Sequence, residues 1–200
     1  MWKDYKGDLF MMIQGYIRLV IILVALIFVL YLPFFFILKR RDIGVTRQLG
    51  YLGLLYSAVF IVFITIILFG IPISFKPEKY VLSLIPFVRF KEEADALKTF
   101  TTEMLPNVMI FIPIGFFIPV VFEKKRKLYK TALIVFFITF SIEFFQYFTG
   151  RLSDIDDIIM NLSGGIIGYG IFKTIHFLCK DKKWWNKFIG NDLSLAARSN

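Results

Sequence analysis

Read as alternating apolar and polar segments, the chain falls into five nearly uncharged stretches of roughly twenty residues, separated by short segments that carry its lysines and arginines. Leu19 to Leu38 holds no charge, and neither does Leu49 to Phe75, which predicts spans over residues 19–38 and 51–71. Met104 to Phe122 gives a third span, 104–122. Lys130 and Arg151 bracket a fourth, 131–149, in which Glu143 is the sole charge. The fifth covers 158–178, with Lys173 placed to snorkel toward the interface. Twenty helical residues at about 1.5 Å each cover a hydrocarbon core of roughly 30 Å. The pattern therefore predicts an all-α, polytopic integral membrane protein with five transmembrane helices, a single membrane domain over residues 1–200.

Two regions depart from simple crossings. Residues 74–103 form the longest connection, and its first part, Val81 to Phe90, is apolar but too short to span. It reads as an interfacial or re-entrant segment between helices 2 and 3. Beyond it, Phe90, Ala94 and Leu97 share a helical face opposite Glu92, Glu93 and Asp95, which predicts a short helix on the surface, acting either as a lid or as plain cover. Span three contains Pro106, Pro113 and Pro119, whose missing amides leave carbonyls that neighbouring helices or water must satisfy. Asn107, near its start, is expected either to serve packing or to turn its amide toward Glu143.

Composition agrees with the pattern: 58% of residues are hydrophobic, and the mean hydropathy is +0.70, values outside the range of water-soluble domains. The net charge of +9 would suit nucleic acid, yet the basic residues sit in short loops, as topology signals and contacts for anionic lipid do. Nucleic acid is not an expected partner; the lipid bilayer is. Lys39, Arg40, Arg41 and Arg47 follow span one, a second basic cluster from Lys124 to Lys130 follows span three, and Lys180 to Lys187 follow span five. With all five spans crossing, these segments share one side, so the positive-inside rule predicts the N-terminus outside and the C-terminus inside a plasma membrane. Trp184 and Trp185 read as an interfacial anchor pair in a basic tail, and His176 as interfacial filler. The single Cys179 excludes an intrachain disulfide, and the first apolar run is too long for a signal peptide.

The polar residues that remain are concentrated between Phe140 and Gly170. An ionisable side chain at mid-membrane costs roughly 2.5–3.5 kcal/mol, so such groups usually face the protein interior or a wet cavity and mark function. Glu143 and Gln146 are one helical turn apart. Asp157, Asn161, Gly164 and Gly168 share one face of the next helix, and Gly164-x-x-x-Gly168 lets spans four and five approach closely. Ser153, three before Asp156, has capping-box spacing and is expected to start the fifth helix. With the N-terminus outside, Glu143, Asn161 and Asn107 fall at one depth near the outer leaflet.

The ordered combination of Asn107-Val-Met-Ile-Phe-Ile-Pro-Ile-Gly115, Ser141-x-Glu143-x-x-Gln146, Gly150-Arg151, Asp156-Asp157 and Asn161-x-x-Gly164-Gly165-x-x-Gly168 resembles the VanZ-like membrane proteins. The likeness covers a core of about residues 80–171. The preceding Leu82 to Phe87 is similar to a weaker family stretch, with Ser83 where asparagine is usual. The resemblance implies a polytopic protein contributing to teicoplanin-type lipoglycopeptide resistance in the cell envelope of Gram-positive bacteria, without implying a reaction.

Three functional readings follow, beside a purely structural one in which these groups only lock helices together. In the first, an outward-facing pocket binds a lipid-linked cell-wall precursor or a lipophilic ligand such as the lipoglycopeptide, using Asn107, Gln146, Arg151, Asp154, Asp156 and Asn161. Arg151 would grip an anion through parallel hydrogen bonds. In the second, an integral membrane enzyme uses Glu143 and Asp157 for acid–base transfer or hydrolysis on such a lipid. An oxygen-only magnesium or calcium site at Glu143, Asp156 and Asp157 would serve either, and no organic cofactor is expected. The third, a transporter or flippase, is disfavoured because the polar set is confined to one side.

Overall fold

The computed structural model describes residues 2–68, 82–87, 100–148 and 153–191. The chain divides into two compact units, Met1–Ile43 and Gly44–Asn200.

The first unit is one helix, α1 (Trp2–Arg40), which runs through Pro33 and ends on Lys39 and Arg40. Its termination follows from local hydrogen bonding. Asp42 adopts a left-handed φ of 57°, its amide donates to the Lys39 carbonyl, and the Ile43 amide donates to the Leu38 carbonyl. These are the two bonds of a Schellman turn, with aspartate taking the place usually given to glycine.

The second unit contains α2 (Val45–Val62), extended by a π-helical turn at Phe63–Leu68, then the two-residue strand β1 (Leu82–Ser83). A second π-helical turn, Phe100–Met104, leads into α3 (Leu105–Val121), followed by α4 (Leu128–Phe148). Strand β2 (Ser153–Asp154), α5 (Ile155–Cys179) and the short α6 (Lys183–Ile189) complete it. Five helical stretches are long and apolar enough to cross a membrane: Ile21–Arg40, Val45–Thr65, Phe100–Val121, Leu128–Phe148 and Ile155–Cys179. The expected set of spans is therefore present.

The boundaries differ instructively. The second span begins at Val45 rather than 51, because the polar residues at its start are absorbed by the fold instead of being left in a loop. The Arg47 guanidinium donates to the carbonyls of Val120, Val121 and Phe188, and Gln48 is buried. The basic tail is likewise not a simple extension. Residues 183–189 form a helix closed by Gly190 at φ 76°, and Trp185 is buried, donating its indole N–H to His176 Nδ1 at 2.9 Å. Trp185 and His176 thus act as packing partners rather than as an interfacial anchor and filler, while Trp184 remains exposed.

The most extensive helix interface joins α3 to α5. Its cause is the glycine set of α5. A Cβ added at Gly164 would stand 2.1 Å from the Val108 carbonyl oxygen, and one at Gly168 would stand 2.1 Å from that of Ile112. Gly115 of α3 meets the Gly165 backbone in the same way. Small residues let the two backbones touch, which is how helices associate where no hydrophobic drive separates protein from lipid. The sequence reading directed Gly164 and Gly168 toward span four; they face span three instead, and it is Gly165 that meets α4, at Val135. Ile61, Phe111, Ile114, Ile118, Val135 and Ile142 form the apolar core between α2, α3 and α4. Meanwhile Leu133, Phe137 and Phe144 of α4 stay more than half exposed, as lipid-facing side chains do.

Candidate functional site

The polar residues meet where α4 ends and α5 begins. Two short strands make this corner. β1 pairs with β2 in parallel, with Leu82 opposite Ser153 and Ser83 opposite Asp154. This gives extended backbone within the bundle the hydrogen-bond partners that it needs away from water. Just after β1, Phe87 takes a left-handed φ of 60° and its amide donates to Asp156 Oδ1 at 2.8 Å. Residues 82–87, read from sequence as interfacial or re-entrant, are therefore fastened to the start of α5. The surface helix expected over residues 90–97 lies outside the described residues.

Asp154 is the N-cap of α5: its backbone is extended and its Oδ1 accepts from the Asp156 amide at 3.0 Å. The sequence spacing assigns that task to Ser153, which is equally competent in chemistry. Strand pairing decides between them, because Ser153 is held in β2 and its side chain hydrogen-bonds Glu143 instead. Glu143, 3% exposed, also accepts from the Asp154 amide at 3.1 Å. Two side-chain bonds from the next helix complete the corner. Asn107 Nδ2 of α3 donates to Asp157 Oδ1, and Asn161 Nδ2 donates to Thr139 Oγ1 of α4 at 2.8 Å.

The structure thus brings Asn107, Glu143, Asp154, Asp156, Asp157 and Asn161 to one end of α3, α4 and α5, with pairings that differ from the expected ones. Asn107 turns to Asp157 rather than to Glu143. Gln146 reaches α2, donating to the Thr65 carbonyl in its π-helical extension at 3.1 Å. Arg151 lies outside the described residues. Among the described residues, no group of three or more His, Cys, Asp or Glu side chains could hold a metal ion. The oxygen-only site expected at Glu143, Asp156 and Asp157 is not assembled, because each carboxylate is drawn to a different partner around the first turn of α5. The Oδ1 of Asn161 is buried with no hydrogen-bond partner, a state that costs about 1–3 kcal/mol and that is normally relieved by water.

Glu143 is not sealed in. It lines a cavity of about 490 Å³, together with Ser153, Asp154, Ile155 and Ile158 at the start of α5 and Leu82 and Leu84 of the β1 segment. The remaining wall is aromatic: Phe136, Phe140, Phe144, Tyr147 and Phe148. Four of these phenylalanines recur every fourth residue and so form a stripe along α4. Phe136, Phe140 and Phe144 stack at centroid separations of 6.0 and 6.3 Å, and Phe148 meets Phe144 edge-on at 4.7 Å. The stripe is legible as an i, i+4 series in the sequence, whereas Leu82, Leu84 and Thr139 give no sign there of belonging to the site. The lining is mainly apolar, with the carboxylates of Glu143 and Asp154 set into it, a combination suited to an amphiphile. Asp157 is absent from its described lining, where the other carboxylate is Asp154, already engaged in capping a helix.

A family model described as VanZ/LLP1 matches residues 16–177, which takes in all five spans apart from the last two residues of the fifth. The chain belongs to the VanZ/LLP1 family. Protein VanZ of Enterococcus faecium is 32% identical over 111 residues, an alignment covering 46% of this chain and 68% of that protein. No solved structure matches the chain. Family membership and five apolar helices make it a membrane protein, and the residues of the corner all fall within the matched segment.

Proposed function

We propose that this protein contributes to resistance against teicoplanin-type lipoglycopeptides by binding a lipid-linked cell-wall precursor or a lipophilic ligand in the Glu143 cavity, at the outer leaflet of the plasma membrane. The observation that carries this reading is the cavity itself: about 490 Å³, walled by an aromatic stripe, with a buried carboxylate in its lining. Ligand sites in membrane and soluble proteins alike combine a mainly apolar wall with a few convergent polar groups. The likeness to Protein VanZ supports the resistance role. The lysine and arginine clusters support an orientation that turns the acidic corner outward. An enzymatic reading would rest on Glu143 and Asp157 acting together. It is the weaker one, because Asp157 is committed to Asn107 and does not line the cavity.

The test is protection of a susceptible Gram-positive host, measured as the inhibitory concentration of teicoplanin at matched protein abundance. The native chain raises it, and Phe140→Trp, which narrows the cavity at its aromatic wall, cuts the increase. Full protection by the narrowed variant would overturn the reading. Orientation is checked by labelling: in a Cys179→Ser background, a cysteine placed at Ser153 reacts with a membrane-impermeant thiol reagent in intact cells.

A further inference from the structure

We propose that the Glu143 cavity selects an amphiphile whose polar group is a protonated amine. The inference rests on the cavity being the ligand site, and of the two ligand classes proposed for it keeps the lipophilic ligand, with an amine head, and sets aside a phosphate-linked precursor. Among the described lining residues, the charged ones are Glu143 and Asp154, and no lysine, arginine or histidine joins them. Asp156 and Asp157 follow within the first turn of α5. Four carboxylates in one corner outweigh the positive pole of the α5 N-terminus, which amounts to about half an elementary charge. An anionic head would meet these acids with no described cation to offset them, whereas an ammonium would be attracted. An amine also brings three hydrogen-bond donors, and the acceptors facing it are carboxylate and hydroxyl oxygens of Glu143, Asp154 and Ser153.

The aromatic wall points the same way. The faces of phenyl and phenol rings carry negative potential and attract ammonium groups within about 6 Å of the ring centre. Phe140, Phe144, Tyr147 and Phe148 line the cavity within five residues of Glu143 along α4. Phe136, a further turn away, extends the stripe with surface that suits an alkyl chain. A head held by acids and rings, with its chain along the stripe, matches this lining.

The experiment uses the full-length protein in detergent, with dodecylammonium, dodecanol and dodecyl phosphate as probes and native mass spectrometry to measure the occupancy of each. Dodecylammonium is expected to bind at least about tenfold more tightly than the other two. Glu143→Gln should remove most of that preference, bringing dodecylammonium to within about twofold of dodecanol measured on the same variant. Ile158→Trp, which narrows the cavity without altering its charge, should weaken all three. Equal binding of ammonium and alcohol overturns the inference but leaves the cavity as a ligand site. Tightest binding of the phosphate also overturns it, and would assign the head to a cation such as Arg151. Failure of every probe to bind, in the native chain as in Ile158→Trp, sinks the ligand site together with the inference.

Discussion

At one end of α3, α4 and α5, Arg47 and Arg126 turn inward and donate to backbone oxygens: Arg47 to Val120, Val121 and Phe188, Arg126 to Pro119 and Ile189. Asn191 Oδ1 and the Arg126 carbonyl, which accepts from Tyr169, are drawn into the same network. At the other end, Glu143 is as deeply buried as any of these groups but borders empty space. Polar residues at the arginine end answer the unsatisfied carbonyls of helix C-termini, and their positive charge suits the negative pole there. Polar residues at the acidic end answer the amides of a helix N-terminus and still leave a carboxylate facing a cavity. Cost alone does not separate function from scaffolding in a membrane chain; what lies beyond the polar atom does.

Substitutions can break this contrast. The largest effect is expected where both ends depend on a common contact. Gly164→Leu forces a side chain into the Val108 carbonyl, so the α3–α5 interface should part at a cost of about 3 kcal/mol or more, seen as loss of the folded fraction in a detergent melt. Next, Arg47→Ala leaves buried carbonyls unpaired and should cost about 2–3 kcal/mol, lowering the melting temperature while sparing ligand binding per folded molecule. A smaller loss of about 1 kcal/mol is expected for Asn107→Ala, which removes the neutral partner of Asp157. Glu143→Gln should change stability least, by under about 1 kcal/mol, because the amide keeps an oxygen for the Asp154 N–H. Its effect should appear in protection against teicoplanin. If Arg47→Ala abolished protection at equal abundance, or Glu143→Gln merely lowered the melting temperature, the two ends would not differ in kind.

The sequence made the spans readable because hydrocarbon leaves a backbone few options: runs of about twenty uncharged residues become helices. It also marked Asn107, Glu143, Asp157 and Asn161, since polar groups within such runs are expensive. Their pairing was not readable. Asn107 could face either acid, and only the glycine-mediated contact of α3 with α5 brings it to Asp157 rather than Glu143. Ser153 and Asp154 are interchangeable as caps by chemistry, and the partner that separates them, β1, is a two-residue strand with no period to detect. The helix α6 was hidden for a related reason. Its seven residues set Trp184, Trp185 and Phe188 beside two lysines, and Trp185 packs on a histidine nine positions earlier in another helix.

The β1–β2 pairing has a bearing on biogenesis. Leu82 is matched with Ser153, and Phe87 is tied to Asp156, 69 residues downstream. Helices can enter a bilayer one after another as they leave the ribosome, but this seam cannot close until the polypeptide beyond α4 has been made. The wall that Leu82 and Leu84 provide is thus installed only after α4 has been made, and a chain stalled before that point would carry an unfinished pocket.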